Sequence, residues 1–231
     1  MSDITVSNDL DPNPDGSFRI GPVMREARHL IRGSKRAFFF AGLFFVVVFV
    51  VPITLINVVF ADSPRIAAVL TGLAALLIGS PFWCGMVAMT LHRAAGRAIN
   101  TNMLFRYTRH WQPMLIAGAA GSILTWTFQL LLGQLWGSLL GFLCSFFLAY
   151  SSFFIVDQAQ DALTAMRNSV RLVGRNFWSL LGLDVLAGLI YIVLSIVTLG
   201  IGLIWLIPWL YIAFGLAYAH AEGIHLEPLH E

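Results

Sequence analysis

Apolar residues in this chain come in long unbroken runs, with no period-two alternation. The first run, Ala37 to Phe60, carries no charge and holds Pro52. The second, Ile66 to Leu91, has Gly79-Ser80-Pro81 near its middle. A third extends from Pro113 to Val156, and a fourth from Phe177 to Ala219 is broken only by Asp184. A bilayer core of about 30 Å takes about 20 apolar helical residues, so the first two runs predict one span each. At about 1.5 Å per residue the third would reach ~66 Å, over twice that thickness. It must fold back, and Gly133-Gln134 to Gly137 supplies the turn. The fourth turns at Gly200-Ile201-Gly202. The pattern therefore predicts an all-α polytopic transmembrane bundle of six spans in three hairpins. Backbone polar groups in lipid must be satisfied within the chain, and the alternating ten-residue segments of a barrel are missing.

Polar segments separate the hairpins. Val23 to Arg36, Ala95 to Trp111 and Gln158 to Phe177 each precede one, and each is basic and partly amphipathic. They predict connecting helices on one side of the membrane, with a threefold parallel repeat of helix plus hairpin as one reading of the spacing. The other reading is that any hairpin protein with basic loops on one side looks the same. The third segment is the clearest helix. Asp157 is placed to cap it, and Leu163, Met166, Val170, Val173 and Phe177 recur at three- and four-residue steps as an apolar face. Arg167, Arg171 and Arg175 form a second stripe.

Charge sets the orientation. Thirteen of the fourteen Lys and Arg residues fall in the N-terminal segment and the two connecting segments; only Arg65 lies opposite. The positive-inside rule then puts both termini in the cytoplasm. Only 11% of the 231 residues are charged and 58% are hydrophobic, which excludes a water-soluble globular fold. The acidic stretch 1–22, with Asp3, Asp9, Asp11 and Asp15, predicts a disordered tail. Residues 23–221 form the transmembrane domain, and 222–231 a short polar tail. About 36 residues precede the first span, so it reads as a signal anchor and not as a cleaved leader.

The chemistry-bearing residues are few. Asp11 to Gly16 resembles the start of a calcium loop, but position twelve, which needs a bidentate Glu, is Pro22. His220, His225 and His230 recur every five residues and share no helix face. Cys84 and Cys144 lie inside apolar runs, which excludes a disulfide framework. There is no P-loop around Lys35, the only lysine, and no HExxH or GxSxG motif. No cofactor, metal or catalytic residue follows, and no nucleic-acid partner. Asp184 is the one carboxylate deep in a span, and such groups are candidate functional sites. Ser151, Ser152 and Tyr211 lie at comparable depth and could hydrogen-bond it. Gly137, Gly141 and Ser145 form a small-residue stripe that suits close helix packing, within the chain or between copies. Arg106, Arg109, Arg167, Arg171 and Arg175 stand at hairpin entrances, where arginine suits the phosphates of anionic headgroups.

One stretch carries a family resemblance: Phe153-Phe154-Ile155-Val156-Asp157, Ala162 to Ala165, Ser169, Arg175-Asn176-Phe177-Trp178, Gly202, Pro208 and Tyr218. With Gly85 to Trp111, it resembles the bacterial inner-membrane proteins of the YciC-like superfamily, related to a membrane domain fused to some glycerophosphodiester phosphodiesterases. The resemblance runs from span two onward. The acidic N-terminal stretch and Asp184 depart from the pattern. It implies an all-helical protein of the bacterial cytoplasmic (inner) membrane with no established catalytic residue. The expected function is that of a non-enzymatic integral membrane protein acting through lipid or protein contacts. A small transporter or permease component is the alternative, and a homo-oligomer or a membrane-protein partner stays open.

Overall fold

A computed structural model describes residues 19–31, 33–200 and 202–223. The acidic stretch before residue 19, with its calcium-like loop, lies outside the described residues. So do Arg32, Ile201 and the histidines of the C-terminal tail. Among the described residues the chain is all-helical, with no strand. Helix α1 spans Ile20–Leu30 and so begins inside the stretch assigned to the acidic tail. It is followed by α2 (Lys35–Phe45), α3 (Val51–Val59), α4 (Pro64–Ala94) and α5 (Met103–Arg106). Next come α6 (Trp111–Leu148), α7 (Ser151–Asp157), α8 (Ala162–Arg175), α9 (Phe177–Val197) and α10 (Leu203–Glu222). Four helical stretches among the described residues are long and apolar enough to cross a membrane: Lys35–Val59, Pro64–Ala94, Met103–Asp157 and Phe177–Val197.

A π-helical turn at Val46–Val50 joins α2 to α3, and the Val51 amide donates to the Val46 carbonyl. Pro52 explains it. Proline offers no amide and its ring crowds the carbonyl four residues back, so the preceding turn widens.

The long α6 is two helices. Gly133 sits between them with φ 79° and ψ 172°, a conformation that a side chain disfavours. The limbs run antiparallel from there. Gln129 Nε2 donates to Ser138 Oγ at 3.2 Å, and Thr125 packs on Gly141. A Cβ added at Gly137 would overlap the backbone of Phe128 and Gln129. The small-residue stripe therefore serves packing inside the chain. The turn needs Gly133 alone, and Gln134 is already helical. Two further reversals occur at Phe60–Ser63 and around Gly200. Asn57 Nδ2 reaches Thr71 Oγ1 at 3.1 Å across the first. The Thr198 side chain accepts from the Gly202 amide at 2.8 Å at the other.

The core gathers at the end where the basic segments lie. Val23, Met24 and Ala27 of α1, Cys84 to Leu91 of α4 and all of Ser151 to Val156 are buried there. Ile212, Leu216 and Tyr218 of α10 join them. Helix α1 is held by its own carbonyls: Trp209 Nε1 donates to Met24 O at 2.9 Å, and Arg93 Nε to Leu30 O at 2.5 Å. The Leu30 carbonyl belongs to the last turn, which has no partner within the helix. Gly85 lets α5 lie on α4, since a Cβ there would come within 2.5 Å of the Leu104 backbone.

The expected cap of α8 is not the one used. Its cap is Asp161, which accepts from the Thr164 amide at 3.1 Å. Asp157 instead ends α7 and accepts from Tyr218 Oη at 2.9 Å. The buried face is Ala162, Ala165, Ser169, Leu172 and Val173. Of the apolar face read from the sequence, Leu163 and Val170 are exposed and Val173 is buried. Small residues face inward because α8 packs tightly against α6 and α7, and the Ser169 hydroxyl donates to the Phe147 carbonyl at 2.7 Å.

Candidate functional site

The outward face of α8 is mixed. With each residue advancing 100° around the axis, Leu163, Arg167, Val170, Arg171 and Arg175 share one sector. All five are exposed, Leu163 by 63% and Val170 by 45%. Trp178, at the start of α9, is 80% exposed. Apolar side chains among arginines on one exposed face are the composition of a helix that can lie at a membrane surface. Glu222 lies near Arg175 and Arg171, whose charges hold its carboxyl down, yet burial raises it more. Arg106 and Arg109 stand on a separate segment, α5 and the 3₁₀ turn Tyr107–His110, and both are exposed.

Beside this face a polar chain links α7, α8 and α10. Asn168 Nδ2 donates to Gln160 Oε1 at 2.9 Å, and Gln160 Nε2 to Gln158 Oε1 at 2.6 Å. Gln158 Nε2 donates to Tyr218 Oη at 3.2 Å, and Tyr218 in turn to Asp157. Each member has a partner, so the network fixes the packing of this end.

The expected intramembrane quartet does not assemble. Ser151 Oγ donates to Leu148 O at 2.7 Å and Ser152 Oγ to Ala149 O at 3.3 Å. Tyr211 stacks on Phe38 at 6.3 Å and meets Trp83 edge-on at 5.9 Å. Asp184 is half-buried beside the inward stripe Leu180, Leu183 and Ala187. No described residue hydrogen-bonds its carboxyl. The group it acts on electrostatically is Tyr150, whose Oη is buried with no hydrogen-bond partner. Sequence reasoning missed Tyr150, although it directly precedes the serine pair.

A groove of about 1000 Å³ runs between α4 and the two limbs of α6. Small residues open it: Gly72, Ala75 and Gly79 on one side, and Gly118, Gly121 and Ser145 on the other. Phe45 and Phe49, flanking and within the π-helical turn, line it together with Trp83 and Trp126. Its hydroxyls are mostly engaged by their own helices. Ser80 donates to Leu76 O at 2.6 Å, Ser122 to Gly118 O at 2.9 Å and Thr125 to Gly121 O at 3.0 Å. No charged residue and no histidine lines the groove, and Asp184 is not part of it. Chemically it offers hydrocarbon contact.

A family model described as "Domain of unknown function (DUF7847)" matches residues 113–221, slightly under half of the chain. That segment runs from the first turn of α6 to the last turn of α10. The comparisons with curated proteins and with solved structures gave no match.

Proposed function

We propose that this protein is a non-enzymatic integral protein of a bacterial inner membrane that works through contact with anionic phospholipid. Its six spans form three hairpins, turning near Asp62, at Gly133 and near Gly200, with both termini on the basic, cytoplasmic side. The observation that carries the reading is the outward face of α8, where Arg167, Arg171 and Arg175 alternate with exposed Leu163 and Val170. Arginine forks suit phosphate, and each basic residue near an anionic leaflet contributes about 1 kcal/mol. Replacing Arg106, Arg109, Arg167 and Arg171 with Gln leaves Arg93, Arg97 and Arg175 to hold orientation. The correctly inserted variant is expected to co-purify with less anionic lipid. Unchanged lipid content would reduce these arginines to topology markers. Single cysteines at Asp62 and Gly202, with Cys84 and Cys144 replaced, are expected to label from outside whole cells, and one at His230 is not.

A second reading, a small transporter or permease component, is favoured by two polar groups left without a hydrogen-bond partner among the described residues, the half-buried Asp184 carboxyl and the buried Tyr150 hydroxyl. Under it, Asp184→Asn abolishes a proton-linked phenotype while preserving insertion. Under the lipid reading the same substitution changes little.

A further inference from the structure

We infer that the acidic segment 1–18 lies across the outward face of α8 and is displaced from it by anionic phospholipid. This inference rests on the lipid reading above and adds to it an occupant from within the chain.

Charge selects the occupant. Residues 1–18 hold four of the twelve Asp and Glu residues, Asp3, Asp9, Asp11 and Asp15, and no Lys or Arg. Ile4, Val6 and Leu10 lie among them. The face of α8 is the complement: Arg167, Arg171 and Arg175 with exposed Leu163 and Val170. Glu222 lies near Arg171 and Arg175, and one carboxylate against three guanidinium groups leaves the face positive. Carboxylates pair with arginine forks through charge-assisted hydrogen bonds.

Attachment selects the face. The segment joins α1 through Arg19, and Ile20 is seated on α9: a Cβ added at Gly182 would come within 2.7 Å of Ile20 Cδ1. Gly182 lies seven residues beyond Arg175, about 10 Å along the chain. At about 3.3 Å per residue, Asp15 can reach ~13 Å from Arg19 and Asp11 ~26 Å. Arg175 to Arg167 is about 12 Å along α8. Asp15 therefore reaches Arg175, and Asp11 and Asp9 reach Arg171 and Arg167. The other basic surfaces fit less well. Arg106 and Arg109 belong to the segment packed on α4, and α4 meets the opposite end of α1, where Arg93 holds the Leu30 carbonyl. Arg25 and Arg28 of α1 are exposed, but no large apolar side chain stands exposed beside them among the described residues of that helix. A short tether holds even a weak ligand at about millimolar effective concentration. Anionic headgroups bind the same guanidinium groups, so the segment and the lipid exclude each other.

The test uses the full chain in nanodiscs, with Ser7 replaced by photoreactive benzoylphenylalanine. In phosphatidylcholine alone, cross-links are expected on residues 162–175. Asp3→Asn, Asp9→Asn, Asp11→Asn and Asp15→Asn together, all ahead of α1, should reduce them severalfold. So should an equal mixture of phosphatidylglycerol and phosphatidylcholine. Cross-links confined to residues 20–30 or 103–110 would overturn the inference. So would cross-links to residues 162–175 that survive the four Asp→Asn substitutions or the phosphatidylglycerol. A photoreactive group at Leu226 that marks residues 162–175, when the one at Ser7 does not, would give the face to the C-terminal residues instead. The inference and the reading beneath it fail separately. No cross-link from Ser7 to α8, with reduced anionic lipid in the four-arginine variant, sinks the inference alone. Cross-links to α8 that phosphatidylglycerol leaves unchanged, with unchanged anionic lipid in that variant, sink the lipid reading as well.

Discussion

The two ends of this molecule are built on different principles. At the basic end, Phe154, Leu183, Ile212 and Tyr218 are buried almost completely, and polar side chains are tied into a continuous network. At the far end, around the three reversals, large apolar side chains stand outward: Leu130 is 86% exposed and Leu199 91%. One end packs against itself as a soluble domain does. The other leaves its apolar surface outward, as suits helices long and apolar enough to cross a membrane, since lipid tails are as apolar as leucine and would give helices no hydrophobic reason to close up.

Substitutions should therefore read very differently at the two ends. The largest expected effect is Phe154→Ala, which empties a buried site and should cost about 3–5 kcal/mol in detergent unfolding. Leu130→Ala should stay within about 0.5 kcal/mol. Equal losses would abolish the distinction. Gly85→Leu comes next. Its side chain would collide with the Leu104 backbone, so a loss of about 1–3 kcal/mol or more is expected. Gly188→Leu, with open space on α9, is the tolerated counterpart. Tyr218→Phe should cost about 1–3 kcal/mol by leaving the Asp157 carboxyl without its donor. The smallest effect is at Glu26, whose Oε2 is buried with no hydrogen-bond partner. Burial holds this carboxyl above its usual range. The folded chain keeps a proton that the unfolded chain has lost, so stability declines as pH rises from the ordinary carboxylate value through the raised one. Glu26→Gln should remove that slope. An unchanged pH profile of unfolding would assign it to another group.

The bend in the longest run was legible in the sequence because length forces it. A run of 44 uncharged residues, Pro113 to Val156, cannot lie in one crossing, and Gly133 marks the bend. The inner face of α8 was not legible. Hydrophobicity identifies a core face only when the other side meets water, and here Leu163 and Val170 look outward. The same ambiguity hid the cap. Asp157 and Asp161 are four residues apart, and what separates their roles is Tyr218, sixty-one residues further along. The groove needed three helix surfaces brought together, which no single stretch announces. Tyr150 was passed over because its meaning depends on Asp184, one hairpin away.

The account turns on whether the outward face of α8 lies in the headgroup layer. Single spin labels at Leu163 and Val170 in reconstituted full-length protein, compared with labels at Leu130 and Leu199, measure that depth through their accessibility to oxygen and to a water-soluble nickel chelate. The account predicts intermediate depth for Leu163 and Val170, with oxygen favoured over what a soluble helix shows, and broadening at both sites when the lipid is made anionic. Full nickel accessibility at Leu163 and Val170, unaffected by lipid charge, would contradict it.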